Sequence, residues 1–216
     1  MNASLLDTLP LPQRLALAYA PRGARAATLA FFAFDARLGQ ALRQAHEPIM
    51  AQMRLAWWRD ELAKEPPARE RSDELIRALD VLSAQRDALS ALVDGWELLL
   101  SEDFGAKPAR AFATARAQAL LAVARTTGAR DGPDAVLLAG QRWALADLAA
   151  GLADVQERAT VLALVPPAGE ARLSRMLRPL AVLDGLARRS IARGGGPLLD
   201  GAASAMIAMR LGLFGH

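Results

Sequence analysis

Apolar residues recur at intervals of three and four along almost the whole chain, and no alternating runs of β-branched residues interrupt them. This spacing is typical of amphipathic helices and not of strands. Proline and glycine stand between the helical stretches, where they favour turns and helix ends. The pattern predicts eight or nine helices without strands, which we interpret as one all-α domain over residues 1–216.

The predicted helices follow one another with short connections. They cover residues 13–20, 24–45, 48–62, 72–83, 87–101, 108–127, 133–164, 170–193 and 198–214. Ser72 is the expected N-cap of the fourth helix. Pro179 is expected to kink or break the eighth helix, and residues 194–197 to form a flexible hinge before the last.

Composition narrows the classes of function. The chain contains no cysteine, which excludes disulfides, thiolate metal sites and cysteine nucleophiles. Its histidines are His46 and His216, so a histidine-rich zinc site and a Ser-His-Asp triad are nearly excluded. His46 is expected to be a surface or capping residue at a helix start.

Most of the positive charge comes from arginine. Lysine and arginine total 26 against 23 acidic residues, a net charge of +3, and lysine occurs only at Lys64 and Lys107. A GC-rich genome would explain the abundance of arginine, but guanidinium groups also bind carboxylates and phosphates through paired hydrogen bonds. Because no run of five or more basic residues occurs, we expect no nucleic-acid partner.

The chain carries no recognisable targeting or membrane-spanning segment. Its first ten residues lack a basic region followed by an apolar core, and no window of 18 uncharged apolar residues occurs. We therefore expect a cytoplasmic protein without a transmembrane span. Helices with arginine on one side and leucine or phenylalanine on the other leave peripheral contact with a membrane surface open.

The most distinctive stretch runs from Arg54 to Leu62 and contains two adjacent tryptophans, Trp57 and Trp58, in a chain with 5% aromatic residues. One interpretation buries one tryptophan in the core and places the other over a groove, with Arg59 solvated. The other interpretation is an apolar wall with arginines at its mouth, suited to a hydrocarbon tail that ends in a phosphate.

Together with Tyr19-Ala20-Pro21, the Phe31–Phe34 segment and Glu47-Pro48, this stretch resembles the squalene/phytoene synthase family. The resemblance is closest to the branch that holds short bacterial members and the mitochondrial complex I assembly factor. It is clearest over residues 14–62 and weaker over residues 133–168. It implies an all-α, isoprenoid-synthase-like helical bundle, shortened at the C-terminus.

The resemblance also implies a chemistry. Enzymes of the family join two prenyl diphosphates head to head, and two aspartate-rich motifs on facing helices hold Mg²⁺ against the diphosphate. By its spacing from Phe34, the first motif falls on Gly39, Gln40 and Arg43, none of which is acidic. Asp35 lies one turn earlier and is a poor substitute.

The second motif is altered as well. Asp154 keeps its first carboxylate, whereas Arg158 occupies the later acidic position. Because one aspartate cannot hold a bridging metal cluster, Asp154 is only a residual metal candidate and we expect no resident cofactor, with Mg²⁺ required only by an active enzyme. If Arg43 and Arg158 face one cavity, they could grip a diphosphate without metal; otherwise both point to solvent.

Three hypotheses of function follow. The first is a non-catalytic pseudoenzyme that binds a prenyl diphosphate or lipid, or acts in assembly with a protein partner. The second is an active prenyltransferase of isoprenoid biosynthesis with altered ligands, which requires Asp35, Asp147, Asp154 and Glu157 to converge on one cavity. The third is an unrelated helical interaction module without a cavity of prenyl size.

No catalytic residue is assigned from the sequence. The expected substrate-binding residues are Arg22, Arg43, Arg54, Trp57, Trp58, Arg59 and Arg158.

Overall fold

The computed structural model describes residues 3–45, 47–101, 104–167 and 172–215, with side chains from Leu5 onward. Within these ranges every regular element is helical, which confirms the predicted all-α class. In the same ranges no helix combines the length and the apolarity that a bilayer crossing needs. His46, His216 and the predicted start of the eighth helix at Glu170 lie outside the described residues.

Eleven α-helices occur in the described parts of the chain. They are α1 Ala3–Asp7, α2 Leu11–Ala18, α3 Arg22–Arg43, α4 Pro48–Ala63, α5 Glu74–Leu79, α6 Arg86–Leu98, α7 Ala106–Thr127, α8 Pro133–Gly151, α9 Val155–Leu162, α10 Arg178–Ala192 and α11 Ala202–Phe214. Short 3₁₀ helices at Pro66–Ala68, Asp80–Gln85 and Arg175–Leu177 complete the regular structure there.

Several predicted boundaries were wrong, each for a local reason. The long helix over 133–164 is two helices, because α8 ends at Gly151 and the Asp154 carboxylate caps α9 by accepting from the backbone N–H of Glu157. Asp73, and not Ser72, caps α5 in the same way. Pro179 lies in the first turn of α10, where its missing N–H costs nothing, so it begins a helix and does not kink one.

The main core draws on helices along the whole chain, and its aromatic part joins α3 to α8. Phe31 and Phe32 of α3 pack edge-on against Trp143 of α8, with ring centroids 6.4 and 5.9 Å apart. Helix α7 packs along both α6 and α8, and α10 packs on α2, α8 and α11. At Gly140 of α8, an added Cβ would lie 2.9 Å from the Cα of Ala117, so small residues let α7 and α8 approach closely.

A buried ion pair joins α8 to α10. Arg142 donates to both carboxylate oxygens of Asp184, at 2.6 and 3.1 Å, and Arg188 donates to the same carboxylate at 2.9 Å. Arg142 also donates to the backbone carbonyl of Pro167 at 3.1 Å. Two-pronged pairing of this kind fixes both the distance and the rotation of the two helices.

We predict that Asp184→Ala lowers the free energy of unfolding by about 3–5 kcal/mol, because it leaves the Arg142 guanidinium buried without its carboxylate. Urea denaturation followed by circular dichroism measures the change. Asp87→Ala, which removes a fully exposed carboxylate from α6, is the matched control and should leave stability almost unchanged. Equal effects of the two substitutions would contradict a structural role for the Arg142–Asp184 pair.

Candidate functional site

Arg116 of α7 lies buried between aspartates of two other helices. Its Nε and Nη2 donate to Oδ2 of Asp35 in α3 at 3.0 and 2.5 Å, and its Nη1 donates to Oδ2 of Asp147 in α8 at 2.7 Å. The indole Nε1 of Trp96 in α6 donates to Oδ1 of Asp35 at 3.0 Å. We call Asp35, Arg116 and Asp147 the Arg116 bridge; with Trp96 it brings four helices together.

The bridge combines deep burial with strong pairing. The side chains of Arg116 and Asp35 are each 1% exposed, whereas that of Asp147 is 31% exposed. Burial raises the pKa of the Asp35 carboxyl, and the guanidinium and indole N–H groups oppose this only in part. Burial alone would lower the pKa of Arg116, but the two carboxylates more than offset it and the pKa is raised. Arg116 therefore stays charged.

Aromatic rings complete the surroundings of the guanidinium. The Cζ atom of Arg116 lies 3.7 Å from the centroid of the Trp143 ring and 5.5 Å from that of Phe112. Ring faces attract cations, most strongly where water is excluded. The charge on Arg116 is thus balanced by carboxylates on one side and by aromatic rings on another.

A cavity of about 680 Å³ opens beside the bridge and is lined mainly by α3, α6, α7 and α8. All three bridge residues line this bridge cavity. Its apolar walls include Trp96, Leu99, Phe104, Phe112, Leu148 and Leu152. Arg43 lines it from the end of α3, and Gln13 from α2, where its buried Oε1 accepts no hydrogen bond from the described residues.

The donor atoms of the bridge cavity do not fit a bridging Mg²⁺. Both oxygens of Asp35 already accept N–H hydrogen bonds, and one oxygen of Asp147 is held by the same guanidinium. A cation placed between the two carboxylates would have to displace Arg116 or lie against its charge. Over the described residues, no three His, Cys, Asp or Glu side chains are placed to share a metal ion.

The four acidic residues whose convergence the enzyme hypothesis requires separate into two pairs. Asp35 and Asp147 line the bridge cavity. Asp154 is the N-cap of α9 and Glu157 lies in its first turn, and neither lines the cavity. The exposed Asp154 accepts from the backbone N–H of Glu157 at 2.8 Å. The residual metal candidate Asp154 thus acts as a helix cap in this fold.

Gly39 leaves room for Trp96 at the position where the family resemblance expects a carboxylate. A Cβ on Gly39 would lie 2.9 Å from Cη2 of Trp96 and 3.0 Å from Nη1 of Arg43. A larger side chain would displace the indole ring that donates to Asp35. The neighbouring Gln40 lines a different hollow, on another side of α3.

That second hollow has a volume of about 670 Å³ and lies chiefly between α3 and α4; we call it the Trp groove. Trp58 is 4% exposed and packs on Phe34 with centroids 5.1 Å apart, whereas Trp57 is 41% exposed and packs on Trp58 at 4.9 Å. The lining comprises Thr8, Arg37, Gln40, Ala41, Gln44, Met50, Met53, Arg54, Trp57 and Trp58. This lining, as far as the described residues go, includes two arginines and no acidic side chain; Arg37 pairs with Asp73 at 3.5 Å, outside the lining.

The residues expected to bind substrate do not form one site. Arg54, Trp57 and Trp58 share the Trp groove, and Arg43 lines the bridge cavity. Arg22 is exposed at the start of α3 and lines neither hollow.

Two further arginines from that set join helices. Arg59 forms ion pairs with Glu97 and, at 2.6 Å, with Asp94, and so ties α4 to α6. Arg158 donates to the backbone carbonyl of Leu152 at 2.6 Å and so ties α9 to the end of α8. Because Arg158 does not line the bridge cavity, Arg43 has no second arginine from this set beside it to grip a diphosphate.

Sequence reasoning missed Arg116, although the chain carries a signal for it. One buried stripe of α7 consists of apolar residues at positions 109, 112, 113, 117 and 120. Arg116 falls inside this stripe, where a solvated arginine has no place. A single charge within an apolar helix face indicates a buried ion pair, since an unpaired charge there would be very costly.

We predict that Arg116→Met lowers the free energy of unfolding by about 3–5 kcal/mol, because Asp35 loses its buried counter-charge. The double variant Asp35→Leu/Arg116→Met should recover a large part of this loss, since no buried charge is left unpaired. Arg125→Met, at an exposed position of the same helix, is the control and should be nearly neutral. Urea denaturation of the parent, of Asp35→Leu, of Arg116→Met and of the double variant measures the coupling, and strict additivity of the two bridge substitutions would contradict it.

We predict that Gly39→Ala lowers stability by about 1–2 kcal/mol, because the new methyl group must move Trp96 away from Asp35. The control is Gly151→Ala at the end of α8, where an added Cβ meets nothing within 4 Å. That substitution should be neutral or slightly stabilising, since alanine favours helix over glycine. Thermal denaturation compares the two, and a stabilising Gly39→Ala would show that Trp96 adjusts without cost.

The two hollows must be interpreted from their own residues. Comparisons of the chain with models of protein families, with curated proteins and with solved structures found no match. The bridge cavity and the Trp groove differ in charge and in apolar surface, and these differences indicate what each could bind.

Proposed function

We propose that the protein is a non-catalytic, isoprenoid-synthase-like bundle that binds a prenyl diphosphate or a related anionic lipid in the Trp groove. One observation carries the proposal: the apolar wall of Trp57, Met50 and Met53 lies beside the exposed Arg54, and no acidic side chain among the described residues lines the groove. Arg37 also lines the groove but pairs at 3.5 Å with Asp73, which lies outside the lining, so Arg54 is the main source of positive charge. An apolar surface next to this charge matches a ligand that has a hydrocarbon tail and an anionic head.

The groove offers chemistry for both ends of such a ligand. Methionine and tryptophan side chains adapt to a flexible hydrocarbon and bury it over a large area. The guanidinium of Arg54 can donate two parallel hydrogen bonds to a phosphate. Gln40 and Gln44 of α3 add polar groups to the same lining, and the volume is that of an ordinary small-molecule site.

The Arg116 bridge supports a protein that binds a prenyl diphosphate but does not join two of them. Departure of a diphosphate needs preorganised positive charge at the leaving group, usually the largest contribution to catalysis. In the bridge cavity, the charge of Arg116 is already balanced by Asp35 and Asp147, and both carboxylates already accept hydrogen bonds from its guanidinium. A cavity arranged in this way favours the pseudoenzyme hypothesis over the active prenyltransferase.

The relation to an isoprenoid-synthase bundle is supported by the placement of two helices. Asp35 of α3 and Asp147 of α8 line one cavity. The family resemblance implies aspartates on two facing helices; Asp35 and Asp147 lie outside the motif positions assigned from it, but they belong to two such helices and hold an arginine between them. We infer that aspartates on two helices around one cavity were kept, while Mg²⁺ binding was replaced by an internal ion pair with Arg116.

The test is calorimetric titration with farnesyl diphosphate below its micelle concentration, with and without Mg²⁺. We expect binding that does not depend on Mg²⁺, and much weaker binding of farnesol and of inorganic diphosphate, because each offers only one half of the ligand. Binding that requires Mg²⁺, or diphosphate release at enzymatic rates, would overturn the non-catalytic proposal. Absence of binding under both conditions would overturn the ligand assignment.

Variants locate the site. Arg54→Ala and Trp57→Ala should each weaken farnesyl diphosphate binding by roughly tenfold or more, through loss of a charge-assisted hydrogen bond and of an apolar contact respectively. Arg110→Ala, which removes an exposed arginine from α7, is the matched control and should bind as the parent protein does. Binding that survives both groove substitutions would exclude the Trp groove as the site.

A further inference from the structure

Helix α11 has a buried side and an exposed apolar side. On the buried side, Gly212 faces the Tyr19 ring and Leu211 faces Gly185 of α10, both so closely that a Cβ on either glycine would overlap its neighbour. Ser204 and Ala208 of the same side are fully buried. This close packing fixes the orientation of α11 on α10 and α2.

The opposite side of α11 carries large apolar side chains that are half exposed or more. They are Met206, Met209, Leu213 and Phe214. Three of them follow the spacing of one helix face, and Arg210 lies among them. We call this surface the α11 face; exposed apolar side chains grouped in this way mark an interaction surface.

An arginine-lined hollow of about 460 Å³ adjoins the α11 face. Among the described residues, its lining includes four arginines, Arg172, Arg188, Arg189 and Arg210, and one acidic residue, Asp184. Ile207 and Arg210 of α11 line this hollow and also lie beside the apolar side chains of the α11 face. The charged and apolar surfaces are therefore continuous. The combination presents cations beside an apolar helix.

The charge of this region differs from that of the rest of the chain. Residues 172–215 hold seven arginines and two aspartates, a net charge of +5, whereas the remaining residues hold 19 basic and 21 acidic side chains, a net charge of −2. Both aspartates are already paired within the region or with α8: Asp184 with Arg142 and Arg188, and Asp200 with Arg189 and Arg193. An anionic partner is therefore attracted to this part of the surface.

We propose that the α11 face and the arginine hollow together form a docking surface for an anionic lipid bilayer. Lipid phosphates would occupy the hollow, and α11 would lie in the interface with its methionine, leucine and phenylalanine side chains among the acyl chains. A second copy of the chain fits less well, because symmetric contact would bring two arginine-rich surfaces together. Long, flexible apolar side chains on one exposed helix also suit a fluid interface, which adapts to their shape.

The test is co-sedimentation of the full chain with vesicles of phosphatidylcholine alone and of phosphatidylcholine mixed with phosphatidylglycerol. We expect binding to the anionic vesicles that weakens as sodium chloride is added, and little binding to the neutral ones. Equal binding to both vesicles, or binding to neither, would overturn the proposal.

Two variants and two controls locate the surface. Arg210→Glu removes one positive charge and adds a negative one, and should weaken vesicle binding by roughly twentyfold; Leu213→Asp should weaken it by roughly tenfold. Arg110→Glu on α7 and Val155→Asp on α9 make the same changes at exposed positions elsewhere and should have little effect. Equal losses in the variants and their controls would overturn the proposal.

The remaining outcomes separate this surface from other partners and from the Trp groove. Thermal denaturation checks that each variant is folded, and Leu213→Asp should still bind farnesyl diphosphate as the parent protein does, since the two surfaces share no residue.

A dimer that Leu213→Asp dissociates would assign the face to a second copy. Binding of polyglutamate without binding of vesicles would assign it to an acidic protein. Either result would overturn the bilayer proposal.

Discussion

The buried charge of Arg116 is the constraint on which the central part of the structure depends. A guanidinium that is 1% exposed must be paired with an opposite charge. Its partners come from α3, which precedes α7 in the chain, and from α8, which follows it. Once Asp35 and Asp147 hold it, α7 is fixed between the two helices. The indole of Trp96 then completes the shell of Asp35, and Gly39 is required because that indole lies against α3.

Helix α3 separates two environments because its residues project in different directions. Asp35, Gly39 and Arg43, each four residues from the next, line the bridge cavity. Arg37, Gln40 and Gln44 follow the spacing of the next face and line the Trp groove. The motif positions inferred from the family resemblance therefore do not share one site: Gly39 and Arg43 belong to one hollow and Gln40 to the other. One helix thus lines two separate hollows with different side chains.

The sequence was sufficient for what depends on local pattern. Apolar spacing predicts the all-α class, and the predicted α3 and α7 lie within two residues of their observed ends. The break before α9 was missed because a single Asp154 cap outweighs a continuous apolar pattern. The Arg116 bridge was missed because Asp35 and Arg116 are 81 residues apart, and no local spacing reports such a pair. Arg54, Trp57 and Trp58 could be grouped because they share one helix.

Charge differs among the three hollows, and this difference sorts ligands by position. The bridge cavity balances Asp35 and Asp147 against Arg116 and Arg43, so an anion entering it gains little. Among the described residues, the Trp groove has two arginines without an acidic lining residue, although Arg37 pairs with Asp73 from outside the lining, and the hollow beside α11 has four arginines with one aspartate. These differences in charge are the basis for proposing a single anionic amphiphile for the groove and an extended anionic surface for α11. The charge of Arg116 is paired inside the fold, so it is not available to an anionic ligand or to a membrane. Arginines at the other two surfaces would have to hold these partners.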